Sequence, residues 1–250
     1  MVSVSIVSHG QGALVRDLLA DLDAHCADAI EVLLTVNIPE RLAFDPAGFR
    51  FPMQVLNDRT PKGFGANHNA AFRESRGVLF CVLNPDIRLR ADPFGALAER
   101  LRDPGVGVAA PLIRSPGGDI EDSARRMPTP LSILRKALSG ARGPEYDIGA
   151  ADLYPDWVAG MFMLFRREAF AAAGGFDERY FLYYEDVDLC TRLALAGKRV
   201  VYCPAVEAIH DARRESHRNL RYLRMHVASM LRFFCSAAFR RRLMRRDGTP

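Results

Sequence analysis

The chain runs to 250 residues, 49% hydrophobic and 26% charged, enough to bury one large core or two modest ones, which excludes intrinsic disorder. Its longest apolar runs, residues 78–83 and 157–165, fall short of the roughly 18 residues that span a bilayer, so no transmembrane helix is expected. The net charge of +4 is unevenly spread, because residues 211–250 carry 11 arginines against three acids while the remainder is net acidic.

Residues 2–8 alternate and are rich in β-branched side chains, Gln11-Gly12 turns, and residues 14–22 place apolar side chains at helical spacing: a strand, a turn and a helix. This start has no basic or long apolar leader, so it reads as a first strand and a cytoplasmic protein is expected. Residues 31–36 and 54–57 read as strands, 65–75 as a helix, and 78–83 as a strand apolar at every position, hence buried on both faces. A helix at 94–102 and a short strand at 107–110, stopped by Pro111, complete a first half. The alternation predicts an α/β fold with a mostly parallel, Rossmann-like sheet flanked by helices. Between 115 and 155 the composition turns to Gly, Pro, Ser, Arg and Asp, with only 131–138 apolar enough for a helix, and this stretch reads as an active-site loop region. A strand at 157–166, a short helix at 167–172, a Gly174-Gly175 turn, a helix at 187–196 and a strand at 199–206 follow. One long Arg-rich helix, about 220–245, closes the chain. The expected division is a domain of residues 1–216, with halves 1–111 and 112–216, and a basic helical tail, 217–250. The five cysteines are scattered with no C-x-x-C pair, so neither a disulfide framework nor a structural zinc site is expected.

Asp86, in Asn84-Pro85-Asp86, lies where the most apolar strand runs out, and in open α/β sheets ligands bind beyond the carboxyl ends of the strands. A plain proline turn explains the same residues without chemistry. Glu185-Asp186-x-Asp188 opens a helix behind an aromatic run at 180–184. The helix dipole favours acids there, and an aromatic wall would raise a carboxylate toward the range of a general base. Gly63-Phe64-Gly65-Ala66-Asn67 enters a helix and suits close backbone approach or anion binding, without the spacing of a dinucleotide fingerprint or a P-loop. His210 is a lone histidine that gains weight only from its neighbours. The tail interleaves leucine and phenylalanine with arginine, a pattern that suits contact with anionic lipid and equally suits packing on the domain or on a second subunit.

In chain order, Val4-Ser5-Ile6-Val7-Ser8, Gly63-Phe64-Gly65-Ala66-Asn67-His68-Asn69, Leu83-Asn84-Pro85-Asp86, Gly160 before Met163-Leu164, Gly174-Gly175-Phe176-Asp177-Glu178, the Tyr183-Tyr184-Glu185-Asp186-Val187-Asp188-Leu189-Cys190 element and His210 form a pattern. It resembles the family 2 nucleotide-sugar glycosyltransferases of the GT-A fold, in their bacterial rhamnosyltransferase branch, over roughly residues 2–216. The resemblance implies transfer of a sugar, with rhamnose from a dTDP donor the first candidate, to a hydroxyl of a glycan or lipid-linked acceptor in cell-surface polysaccharide synthesis. It implies that Asp86 and His210 hold a divalent metal, Mg²⁺ or Mn²⁺, on the donor's diphosphate, and that Asn84 stands where the family has a first acid. Asp186 stands in the place of the general base, with Glu185 beside it. Ser8, Asn37, Gly63, Gly65 and Asn67, together with Asn84, would line the donor cleft. Family members commonly carry an Asp-Asn pair after the second strand, where this chain has Val36-Asn37.

A base opposite the leaving group would invert the anomeric centre. Two other readings are a nucleotidyltransferase, which lacks its basic glycine-rich loop here, and a degenerate, non-catalytic sugar-nucleotide binder, motivated by Val36 and Asn84. No nucleic-acid partner is expected, a homo-oligomer is compatible with the sequence, and the tail would make any peripheral contact at the inner face of the cell membrane.

Overall fold

A computed structural model of the chain describes residues 1–57, 60–140, 143–211 and 220–247. The first half builds β1 (Val2–Ser8), α1 (Gly12–Cys26), β2 (Ile30–Val36), β3 (Met53–Asn57), α2 (Phe64–Glu74), β4 (Leu79–Leu83), β5 (Ile87–Arg88), α3 (Phe94–Arg100) and β6 (Val106–Arg114). The second builds β7 (Ala124–Arg125), α4 (Pro130–Ser139), β8 (Trp157–Val158), β9 (Phe162–Arg166), α5 (Arg167–Ala172), α6 (Glu185–Leu195) and β10 (Arg199–His210), then α7 (Leu220–Phe234) and α8 (Ala237–Asp247). Eight strands form one sheet in the order β3-β2-β1-β4-β9-β6-β10-β5, all parallel except β9 and β5. β7 and β8 form a separate antiparallel pair. The mostly parallel sheet expected from the alternation of strands and helices is the one observed.

The strand period of two divides the core between the faces of this sheet. On β4 and β9, Phe80, Val82, Met163 and Phe165 point into one cluster and Cys81, Leu83, Phe162 and Leu164 into the other. Val15, Leu18, Leu19 and Leu22 of α1 and Leu97 of α3 close the second cluster. Phe170 of α5, Val187, Leu189 and Leu193 of α6, Phe233 of α7 and Phe239 of α8 close the first. The C-terminal helices thus pack on the same core as the rest of the chain. Among the described residues no helix is long and apolar enough to cross a membrane, and all five cysteines are free thiols.

Several elements differ from the sequence expectation: the short strands β5 and β7 were not expected, and β10 runs on from 206 to His210. β6 does not stop at Pro111 but runs through it, because β10 opposite carries the irregularity: the register jumps from Cys203 facing Pro111 to Glu207 facing Leu112, so the missing proline N–H falls where pairing is interrupted. The strand expected at 157–166 is two, β8 and β9, broken at Ala159-Gly160-Met161. Helix α6 starts at Glu185 rather than 187, directly after Tyr183 and Tyr184, which both hold left-handed backbone with φ of 70° and 68°. The long terminal helix is also two, since the Ser236 hydroxyl accepts the Phe239 N–H and caps a fresh start for α8.

Candidate active site

Parallel pairing brings the carboxyl ends of β1, β2, β4, β6 and β10 to one edge of the sheet, with Ser8 beside Val36 and Ile209 beside Arg114. The Asn84-Pro85-Asp86 turn leaves β4 there, and its Asn84 N–H donates to the Met161 carbonyl at 2.9 Å. Strand β5 then runs antiparallel to the end of β10, setting Ile87 opposite His210, and the Asp211 N–H donates to the Asp86 carbonyl at 2.8 Å. That pairing brings His210 Nε2 to 3.2 Å from Asp86 Oδ2. The other ring nitrogen, Nδ1, lies 2.8 Å from Glu121 Oε2.

His210 therefore sits between two carboxylates. Burial by itself would lower its pKa, but the hydrogen bonds and negative charge of Asp86 and then Glu121 outweigh burial and raise it to about 8. The second Asp86 oxygen, Oδ1, is buried without a hydrogen-bond partner. Among the described residues no group of three or more His, Cys, Asp and Glu side chains forms a metal cage. Glu121 is a site residue that the sequence did not disclose: it lies in a polar loop with no spacing relation to Asp86 or His210, and it arrives because the chain turns back along the end of β6, where the Glu121 N–H donates to the Ile113 carbonyl at 2.9 Å, while β6 pairs with β10.

Asp186 occupies the first turn of α6. Its Oδ2 accepts the Gly160 N–H at 3.0 Å and its Oδ1 the Val187 N–H at 2.8 Å. Burial pushes its pKa up, and these two N–H groups and the charge of Arg125 pull it back without cancelling the rise. The break at 159–161 joins Asp186 to the turn that carries Asp86, since Gly160 holds Asp186 while Met161 holds Asn84. Glu185 differs from its neighbour: it is buried, its Oε2 finds no partner, and burial with the adjacent Asp186 charge raises its pKa well above the carboxylate range. Asp188 binds Arg192 at 2.7 Å one turn along the same helix.

Arg125 is the second residue that local spacing did not single out. It lies on β7, is held by the Asp122 carbonyl and carboxylate at 2.8 and 3.2 Å, and stacks on Trp157 with its guanidinium carbon 5.3 Å from the ring centroid.

The glycine-containing segment serves a packing purpose. A Cβ on Gly63 would lie 2.6 Å from the Phe181 carbonyl oxygen, and one on Gly65 would lie 2.6 Å from Phe176 Cβ. The start of α2 thus presses on the segment that leads into Asp186. Asn69 locks the same contact, donating to the Phe176 carbonyl and accepting the Phe176 N–H at 2.8 and 2.9 Å. Asn37 accepts the Lys62 N–H at 2.8 Å and donates to the Lys62 carbonyl at 3.0 Å, tying the end of β2 to the entrance of α2. Asn67 donates to the same carbonyl at 3.2 Å, and its buried Oδ1 has no partner. Ser8 is buried, its hydroxyl accepting the Gln11 N–H at 3.2 Å. His68 is neutral, burial lowering its pKa to about 3, with Nδ1 2.8 Å from the Ser5 hydroxyl. Val36 belongs to the apolar core.

Comparisons with known proteins give consistent results. Residues 54–235 match a family described as "Glycosyltransferase like family 2". The chain is 36% identical over 235 residues to the N-acetylglucosaminyl-diphospho-decaprenol L-rhamnosyltransferase of Mycobacterium tuberculosis, covering 84% of this chain and 76% of that one. It is 30% identical over 246 residues to rhamnosyltransferase WbbL of Escherichia coli K12, covering 93% and 92%. Among solved structures, GalNAc-T7 with UDP, GalNAc and Mn²⁺ superposes with a TM-score of 0.70 at 14% identity over 92% of this chain, which spans about half of that protein (47%). The mannosyltransferase PcManGT of Pyrobaculum calidifontis, with GDP-Man and Mn²⁺, gives 0.62 at 19% identity, covering 92% and 64%. At those identities the two structures establish the shared fold.

Proposed function

The chain belongs to glycosyltransferase family 2, and from that premise we propose an inverting transferase that moves a rhamnosyl group from a nucleoside-diphosphate donor to a hydroxyl of a lipid-linked glycan. The observation that carries the chemistry is the link at 159–161, which fixes Asp186 and the Asn84-Pro85-Asp86 turn to consecutive residues of one backbone. The choice of rhamnose and of a lipid-linked acceptor rests on the two rhamnosyltransferases at 36% and 30% identity, of which the first is named for a diphospho-decaprenol substrate.

Asp186 is the general base in this reading. Its raised pKa strengthens it as a proton acceptor, and the Gly160 and Val187 N–H groups fix its orientation. It takes the proton of the acceptor hydroxyl as that oxygen bonds to the anomeric carbon, whose bond to the diphosphate oxygen breaks on the opposite face. The electron pair leaves with the nucleoside diphosphate. Glu185 lies buried beside Asp186, where burial and the Asp186 charge raise its pKa.

Asp86 and His210 fit a divalent cation, Mg²⁺ or Mn²⁺, by their own chemistry. Asp86 Oδ1 is a buried oxygen with no partner, and His210 Nε2 already faces Oδ2, while Glu121 orients the imidazole from behind. Two protein ligands leave room for phosphate oxygens, and the bound ion would offset charge on the departing diphosphate. Ser8, Asn37, Gly63, Gly65, Asn67 and Asn84 border the donor side in this reading, the glycines and asparagines by holding its walls. A lipid-linked acceptor would put the protein at the inner face of the membrane in this reading, with α7 as the contact.

The test is turnover of dTDP-rhamnose with a short-chain polyprenyl-diphosphate-linked glycan, with and without EDTA and added Mn²⁺. Metal-dependent release of dTDP together with a glycosylated product is expected. Tight donor binding with neither product would favour the non-catalytic binder, and an indifferent response to EDTA would remove the metal from the scheme.

A further inference from the structure

Helix α4 is ten residues long, yet none of its described side chains is buried. Helices in water are held mainly by burying an apolar face, and an isolated helix of that length is marginal even with good helix formers. α4 nevertheless has an apolar face: Leu131, Leu134 and Leu138, spaced by three and four residues, are 55%, 55% and 80% exposed. Its ends are firmly made, by a Thr129–Ser132 capping box and a left-handed Gly140 cap, and Lys136 pairs with Asp122 and Glu145.

α7 repeats the pattern with one difference. Its inner stripe, Tyr222, His226, Ser229 and Phe233, includes the residues that pack on the 182–184 segment, where Ser229 donates to the Leu182 carbonyl at 2.8 Å and His226 meets the rings of Tyr183 and Tyr184 edge-on. Its outer stripe, Leu220, Leu223, Val227 and Leu231, is exposed.

The segment that leads into α4 is tied to the C-terminal helices. Asp156 accepts the Met127 N–H, just ahead of α4, and pairs with Arg242 of α8, while Arg125 lies within electrostatic reach of His226 and Asp186. Helices α4, α7 and α8 together carry ten arginines and lysines against one acid, Asp247; Lys136 and Arg242 are paired with acids outside these helices, and the excess remains positive. A second copy docking by two-fold symmetry would set this positive surface against itself. An anionic bilayer complements it.

We propose that α4 is a second membrane-docking helix, so that α4 and α7 together seat the acceptor side of the protein on an anionic lipid surface. The inference rests on the lipid-linked acceptor for its purpose and extends the membrane contact beyond α7 to a helix inside the catalytic domain.

The experiment is flotation of the intact chain with phosphatidylglycerol–phosphatidylcholine vesicles and with phosphatidylcholine alone. It is run beside a variant carrying Leu131→Ser, Leu134→Ser and Leu138→Ser and another carrying Leu223→Ser, Val227→Ser and Leu231→Ser. All six side chains are at least 40% exposed, so both variants should keep the parent's melting temperature. Expected is binding to the anionic vesicles only, weakened by salt, with the α4 variant losing about tenfold or more in partitioning. Undiminished flotation of the α4 variant overturns the proposal. So does a dimeric parent that the α4 substitutions render monomeric, since the occupant is then a second copy. Turnover of dTDP-rhamnose with the short-chain polyprenyl-diphosphate-linked glycan is measured in parallel; if the parent shows none while flotation behaves as expected, the transferase reading fails and the docking surface stands.

Discussion

At the scale of single residues, adjacent carboxylates in one helical turn are separated by environment. Asp186 keeps two N–H donors and a nearby cation, whereas Glu185 is buried with one oxygen unpartnered. Asp186→Asn should therefore lower kcat by about 10²-fold or more with little change in donor affinity, because the amide keeps the shape but takes no proton. Glu185→Gln, at a buried side chain whose surroundings disfavour the charged form, should retain most of the activity; the comparison is a steady-state assay of both variants. Arg125 bears on the same group. An ionised Asp186 is required for proton abstraction, so the rate rises with pH through a pKa held above the usual 3.8. The Arg125 charge lowers that pKa, so Arg125→Ala should move the acidic limb of the kcat profile to higher pH, and an unmoved limb would detach Arg125 from the base.

At the scale of elements, the site depends on α2 pressing against the segment that precedes α6. Two consecutive tyrosines in left-handed backbone are costly, and such conformations persist only where surrounding contacts hold them. Here the contacts come from both sides: Gly63 and Gly65 with Asn69 from α2, and His226 and Phe233 from α7. A methyl group added at Gly63 would stand 2.6 Å from the Phe181 backbone, which cannot swing aside as a flexible side chain would. Gly63→Ala should cost about 1–3 kcal/mol in denaturant unfolding and reduce turnover together with stability, since the displaced segment carries Asp186.

At the scale of the whole molecule, the C-terminal helices are part of the core despite their charge. Phe233 is fully buried between Tyr184, Phe234 and Phe239, and Arg242 is paired with Asp156. Phe233→Ala should cost about 3–5 kcal/mol, measured by chemical unfolding, and a melting temperature equal to the parent's would show the helices to be an appendage. The inner stripe of α7 thus packs on the protein and the outer stripe is exposed, so the packing half of the sequence pattern is accounted for and the outer stripe is where the proposed lipid contact falls.

The amino-acid sequence by itself determined the alternating α/β order, the doubly buried β4 and the family, because these follow from local periodicity and from short motifs whose residues are adjacent in the chain. It also pointed to Asp86, Asp186 and His210 as residues in chemically suggestive places. Only the tertiary structure decided that Asp86 and His210 meet, since 124 positions of chain separate them and the β5–β10 pairing closes that distance. Glu121, in a loop, and Arg125, on the two-residue strand β7, were invisible for a similar reason: segments that short carry no period, and their partners are chosen by long-range pairing. The split of 157–166 into β8 and β9 and the run of β6 through Pro111 were likewise settled by neighbours, one by the Asp186 carboxylate on Gly160 and the other by the register jump in β10. The exposed stripe of α4 is the converse case, in which the sequence predicted a helix and the fold left its apolar face uncovered.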